Sequence, residues 1–296
     1  MQNNALWFGT SAPLSGRRPL PPAVWTGIGA LAIPLWATWP TLAVWASAIP
    51  AFELLTIAFA VGWLLLSVVE ERTEASGKAG LLPALACALG LCGADAFFIL
   101  ATASIPVAEA NLISYLWPVM VVTFGAALGL FRLGLRHLLG LGLGLAGAAV
   151  VIGGGTMAFA WSGVGLALLG GASWAAYCVF RLRQGPDATP VLTPGCGISA
   201  ILCGVLHLLL ERTVLPSWGA LAAAIVVGVA PLALANLAWD RGLRRGDGRL
   251  LAVMAYATPL ASALILIAVG LASPTPGLLA GAGMIIGAGL LCRSNR

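Results

Sequence analysis

The chain has 296 residues and a formal net charge of +5, yet only 8% of it is charged while 60% is hydrophobic. A soluble domain carries roughly 25% charged residues, so this chain cannot wrap itself in a water-compatible surface, whatever domain count its length suggests. The class that fits is an all-α polytopic membrane protein.

Residues 1–21 are mixed, include Arg17 and Arg18, and hold no short apolar core with a small-residue cleavage site. They read as a cytoplasmic N-terminal segment rather than a removable signal. Ten apolar runs follow, each near the 20 or so residues a helix needs to cross a bilayer. They cover 23–41, 51–69, 80–102, 107–129, 138–156, 163–181, 191–210, 217–239, 250–271 and 276–292, ahead of a short tail at 293–296. The first run carries Pro34 and "LWATW", which sets Trp36 and Trp39 on one helical face. The third carries Asp95. Glu109 opens the fourth, which continues into "NLISYLWPVMVV" (111–122). An amide, two hydroxyls and a proline, Pro118, there fall within eight residues. Such a segment facing lipid is costly, whereas one lining a cavity inside the protein is not. Further along, Trp174 and Tyr177 share a face of the sixth run, Asn236 and Trp239 one of the eighth beyond Pro231, and the ninth holds Tyr256 and Pro259.

Lys and Arg orient these runs. With a cytoplasmic N-terminus, 14 basic residues lie on the inner side and only Arg212 on the outer. The basic excess is thus a topology signal, and nucleic acid is not an expected partner. The six cysteines all sit in apolar runs without a C-x-x-C pair or a nearby His, as small buried hydrophobes do. Neither metal nor cofactor is expected. His137 and His207 are isolated, and no nucleophile–base constellation suggests an enzyme.

The two halves of the chain match. At an offset of 141 residues Tyr115 falls on Tyr256, Pro118 on Pro259 and Asp95 on Asn236, while an offset of 138 pairs Trp36 with Trp174. The fifth and tenth runs are both Gly-rich, with small-x-x-x-small pairs (Gly140 and Gly144, Gly277 and Gly281, Gly283 and Gly287) that let helix backbones approach. Five runs per half is an odd number, so the second half would insert upside down: two inverted five-helix repeats over 22–156 and 157–292, with both termini cytoplasmic. Such repeats bind substrate near the midplane between them.

With "LWATW", "EANLISYLWP", "SWAAYC", "LAWDRGLRRG" and "LAVMAYATPLASA", the chain resembles the ten-span, EamA-type branch of the drug/metabolite transporter superfamily over nearly its whole length. The resemblance implies a bacterial inner-membrane exporter of aromatic and other hydrophobic amino acids, with organic cations as an alternative cargo.

The residues suit that cargo. No Lys or Arg lies mid-run, which disfavours phosphorylated substrates. Trp36, Asn111, Tyr115, Trp117, Trp174, Tyr177, Asn236, Trp239 and Tyr256 are the expected substrate-binding set, because amides and indole N–H groups bond a zwitterion and aromatic faces hold ammonium or rings. Pro34, Pro118, Pro231 and Pro259 are the expected hinge or gate positions, where freed backbone N–H groups could receive a carboxylate. Asp95 and Glu109 are the acids for coupling, Glu109 also suiting an interfacial location. An exporter of lipophilic cations coupled to protons through such a carboxylate is the competing function. At run ends, Trp25, Trp161 and Trp218 suit an interfacial belt, and Glu53 and Asp240 are expected to be solvated. His207 reads as a satisfied buried histidine. A monomer is expected, with a homodimer through the glycine faces as the alternative.

Overall fold

The computed structural model of the chain describes residues 20–71, 80–130, 134–153, 160–184, 190–246, 251, 254–255 and 257–292; residues 1–19 of the expected cytoplasmic segment and the tail lie outside them. Among the described residues every regular element is a helix, as lipid requires of a chain whose backbone must satisfy its own hydrogen bonds. Each of the ten expected runs contains helix. Seven stretches are long and apolar enough to cross a membrane, and three shorter apolar helices accompany them at Leu138–Gly147, Ala257–Ala268 and Pro276–Ala288.

Several runs are interrupted, and prolines account for where. The first is three pieces, α1 (Pro22–Ala30), α2 (Ala32–Ala37) and α3 (Trp39–Trp45). Leu31 and Thr38 close tight turns between them, their N–H groups reaching the carbonyls of Ile28 and Leu35. Pro34 and Pro40 follow these turns, since proline offers no N–H and its ring crowds the carbonyl four residues back. The fourth run splits into α6 (Val107–Ser114) and α7 (Trp117–Ala127), with Pro118 in the first turn of α7. In the eighth run, α11 (Trp218–Val227) and α12 (Asn236–Arg245) are joined by a widened π-helical segment, Gly228–Ala235, that contains Pro231. The remaining helices are α4 (Ala51–Glu71), α5 (Leu81–Thr102), α8 (Leu135–Gly153), α9 (Trp161–Gln184), α10 (Leu192–Leu210), α13 (Ala257–Ala268) and α14 (Pro276–Cys292).

The main core lies between α4, α5, α10 and α11, around the fully buried Leu54, Leu55, Phe59 and Leu66. Cys92 and Cys203 meet there as free thiols, their Sγ atoms 3.2 Å apart. The Gly-rich helices α8 and α14 pack on each other. Gly147 makes that possible, because a Cβ there would lie 2.9 Å from the Met284 side chain and 3.2 Å from the Gly281 carbonyl. Large apolar side chains cover the outside, Leu81, Leu208 and Leu215 among them, and Trp161 and Trp218 stand exposed at helix N-termini. Trp25, by contrast, carries the Arg245 guanidinium 4.8 Å from its ring centroid.

Carboxylates join α4 to α10 at both ends. Glu211 accepts the backbone N–H of Phe52 at 3.0 Å and that of Glu53 at 3.2 Å, capping the start of α4. At the other end Glu70 accepts the N–H of Thr193 at 3.2 Å and also its hydroxyl, capping the start of α10. Helix N-termini present unsatisfied N–H groups and partial positive charge, which anions complete. Glu53 differs from its expected solvated state. It is buried and accepts the Val214 N–H at 3.0 Å, because the segment after α10 folds back over the start of α4. His207 is buried and satisfied, its Nδ1 2.9 Å from Glu211 and its Nε2 2.9 Å from Thr213. Asp240, half-buried, lies 3.6 Å from Arg181.

Candidate substrate cavity

Three helix interruptions converge on one cavity of about 130 Å³. Pro118 has no N–H for the Ser114 carbonyl, four residues back. Gly171 of α9 packs against that carbonyl instead; a Cβ there would sit 2.6 Å from the oxygen. The close approach brings Gly170, Gly171 and Trp174 into the same wall as Ser114, Tyr115 and Trp117. Ser114 Oγ adds a hydrogen bond to the Ala167 carbonyl at 3.1 Å. Opposite, the π-helical turn presents Pro231 and Leu232, and Asn236 follows as the first residue of α12. Trp36 and Trp39 enter from the broken first run, Asp95 and Phe98 from α5, and Thr258 from α13.

Aromatic rings in the wall form two groups. Trp36 and Trp174 meet edge to face at 6.4 Å, as do Trp117 and Trp174, and Trp39 tilts against Phe98 at 5.8 Å. Such offset and edge contacts fix ring positions beyond simple burial. Polar groups are few, and only one of them is ionisable near neutral pH. Asn111 Nδ2 donates to Ser262 Oγ at 3.1 Å, tying α6 to α13, and Asn236 Nδ2 donates to the Leu232 carbonyl at 2.9 Å. Asp95 is the one carboxylic acid among the described lining residues, and no Lys, Arg or His joins it.

Of the expected binding residues, Trp36, Asn111, Tyr115, Trp117, Trp174 and Asn236 line the cavity together. Trp239 and Tyr177 stand one layer back, behind Trp36 at 5.1 Å and behind Trp174 at 5.4 Å. Tyr256 lies outside the described residues, though its neighbours Ala255 and Thr258 reach the wall. The two acids part company: Asp95 lines the cavity, whereas Glu109 sits half-buried in the first turn of α6 and does not. Among the prolines, Pro231 lines it and Pro118 sets the break beside it. Pro34 is exposed on α2 and Pro259 is buried within α13. Sequence reasoning left out Phe98 and Thr258. Thr258 had a signal, since the offset of 141 residues sets it on Trp117.

Residues 23–153 and 161–293 each match the EamA-like transporter family. The chain belongs to the EamA-like transporter family. It is similar to the protein described as "Aromatic amino acid exporter YddG" from Ancylobacter novellus, with 32% identity over 88% of this chain and 94% of the relative. A solved structure titled "Crystal structure of protein" superposes with a TM-score of 0.72 at 32% identity, covering 91% of this chain and 96% of the other. This EamA-like chain is a transporter, a multi-pass protein of the bacterial inner membrane. A cavity at the meeting of broken helices lets polar side chains and freed backbone groups face away from lipid.

Proposed function

We propose that this chain exports aromatic and other hydrophobic amino acids from the cytoplasm by alternating access through the Trp-lined cavity. The observation that carries the reading is the cavity wall itself: rings from Trp36, Trp39, Trp117 and Trp174 line it together with Asp95, Asn111 and Asn236. Rings hold an aromatic side chain, and the acid and amides bond an ammonium. Similarity to an aromatic amino acid exporter supports the same cargo. At about 130 Å³ the cavity is smaller than the roughly 300–1,000 Å³ of an ordinary ligand pocket. Cargo entry then requires the walls to part, with the breaks before Pro118 and at Pro231 as the bending points.

Ten spans in two inverted repeats, 22–156 and 157–292, are the architecture proposed for this motion, with both termini cytoplasmic. One family matches both halves. Helix contacts recur under exchange of the halves: α5 with α9 corresponds to α1 with α12, and α7 with α9 to α13 with α2. The carboxylate caps recur too. Glu70 and Glu211 are 141 residues apart in sequence, and so are their targets Phe52 and Thr193. That is the offset that pairs Tyr115 with Tyr256.

Counterflow in proteoliposomes tests the function. Vesicles preloaded with unlabelled phenylalanine are expected to accumulate labelled phenylalanine transiently and saturably. Accumulation that ignores an imposed pH gradient identifies a facilitative carrier, and accumulation driven by the gradient a proton-coupled one. Absence of counterflow by folded protein would overturn amino acid export.

A further inference from the structure

A second cavity, a groove of about 330 Å³, opens on the outer side of the packing between α5 and α9. Ala86, Leu89 and Gly90 of α5 face Ser173, Ala176 and Tyr177 of α9 across it. The two helices run antiparallel, with Gly90 against Tyr177 and Gly93 against Ser173. The substrate cavity takes other residues of the same helices, Leu91 and Asp95 with Gly171 and Trp174. Leu85, Leu89 and Ala176 are exposed around the groove, so in a chain that crosses the bilayer its mouth meets hydrocarbon. The lining makes no polar demand. Ser173 Oγ donates to the Leu169 carbonyl at 2.9 Å, and the Tyr177 hydroxyl pairs with the Cys87 thiol. The stripe Ser173, Ala176, Phe180 continues to Arg183 at the three- and four-residue steps that keep one helical face. The antiparallel register brings Arg183 level with the first turn of α5. Arg183 is exposed and has no carboxylate partner among the described residues, whereas Arg181 is taken by Asp240 and Gln184.

We infer that this groove is a binding site for an anionic bilayer phospholipid, its acyl chain lying between α5 and α9 and its phosphate meeting Arg183. Water does not fill an apolar slot that opens on hydrocarbon, and an empty slot forfeits contacts along its whole lining. A flexible methylene chain is the occupant a bilayer supplies. From Ser173 to Phe180 the slot follows about 10 Å of helix, and Arg183 lies about 5 Å further on. An arginine near a helix end snorkels to the headgroup layer, and a basic residue there favours anionic over neutral lipid. The occupant also bears on the substrate cavity. Tyr177 floors the groove, and its ring stands 5.4 Å from Trp174 in the cavity wall. An acyl chain in the groove backs that wall from the lipid side. The proposed topology puts Arg183 at the cytoplasmic leaflet, while the site itself does not depend on the proposed cargo.

Native mass spectrometry of the full-length chain in detergent, titrated with phosphatidylglycerol or phosphatidylcholine of the same acyl chains, reads the site. The first phosphatidylglycerol is expected to bind about fivefold more tightly than the first phosphatidylcholine, the effect of one basic residue. Arg183→Gln is expected to abolish that preference and to leave phosphatidylcholine binding unchanged. Ala176→Trp fills the groove from an exposed position. It is expected to weaken the first lipid of either kind at least about tenfold, the burial of two methylenes. If Ala176→Trp does not fold, Leu89→Trp fills the groove from the opposite wall. Equal affinity for the two lipids, or a preference that survives Arg183→Gln, would overturn the inference. So would lipid binding unchanged in a folded groove-filling variant. A lipid-free dimer that such a variant dissociates would give the groove to a second copy and overturn it too. Phenylalanine counterflow with the wild type separates this site from the proposed function. Overturned lipid binding with intact counterflow leaves export standing, and failed counterflow with the expected lipid binding leaves the site standing.

Discussion

Trp174 touches more of the cavity's aromatic surface than any neighbouring ring, meeting Trp36 and Trp117 at 6.4 Å each and Tyr177 at 5.4 Å. Truncating it removes three ring contacts, each worth roughly 0.5–1.5 kcal/mol, and opens the wall. Trp174→Ala is expected to lower phenylalanine counterflow at least about tenfold and to cost about 3 kcal/mol, the low end for a Trp truncation because the ring is only half-buried. Glu109→Gln, away from the wall, is expected to keep counterflow within about twofold of wild type. Transport rates and melting temperatures of the two variants check both. Residues were legible in the sequence to the extent that their chemistry is anomalous in lipid. Asn111, Tyr115, Asp95 and Asn236 stand out against apolar neighbours, and all line the cavity. Phe98 is an ordinary apolar residue in an apolar helix, and nothing local marks it. Glu109 looks as anomalous as Asp95, but its place in the first turn of α6 turns it from the cavity.

Among elements, the caps that join α4 and α10 carry the clearest energetic weight. Glu211 serves two N–H groups of α4 and one nitrogen of His207, so removing it strands several polar groups at once. Glu211→Ala is expected to destabilise the protein by about 1–3 kcal/mol, and Glu70→Ala by a similar amount through Thr193. The double variant should lose roughly the sum, because the caps lie at opposite ends of the helix pair. Thermal unfolding of the detergent-solubilised protein measures this. Strict subadditivity would mean that the two ends relax together. Helix limits were readable where a proline, glycine or charge bounds an apolar run. The expected 51–69 and 191–210 correspond to Ala51–Glu71 and Leu192–Leu210. The expected 23–41 instead continues to Trp45 in three pieces, since Pro40 interrupts the helix without ending it. The eighth run reaches Arg245, past its expected limit of 239, because Asp240 and Arg241 extend α12 beyond the apolar stretch. Asp240 there pairs with Arg181.

At the scale of the whole molecule, the proposed topology makes a labelling prediction. The segment after α10 would face the periplasm and the turn after α7 the cytoplasm. Leu215 and Leu130 are both exposed in these segments. Leu215→Cys is expected to react with a membrane-impermeant maleimide in intact cells, and Leu130→Cys only after permeabilisation. The native Cys87, Cys92, Cys196 and Cys203 are buried and should stay silent. The reverse pattern would invert the protein, and labelling of both from one side would remove a span between them.

By itself the sequence determined a membrane-embedded helical chain, the position of its helices and the residues that cannot face lipid. Those follow from hydrophobic run length, proline chemistry and the cost of polar groups in hydrocarbon, all local properties. Tertiary structure alone decided which of these residues meet. Asn111 finds Ser262, Glu70 finds Thr193 and Trp239 stands behind Trp36 only because each helix has a particular rotation and crossing. In a soluble helix an apolar stripe reports that rotation. Here lipid and protein interior are equally apolar, so the stripe vanishes, and packing of small residues with a few hydrogen bonds sets which face turns inward.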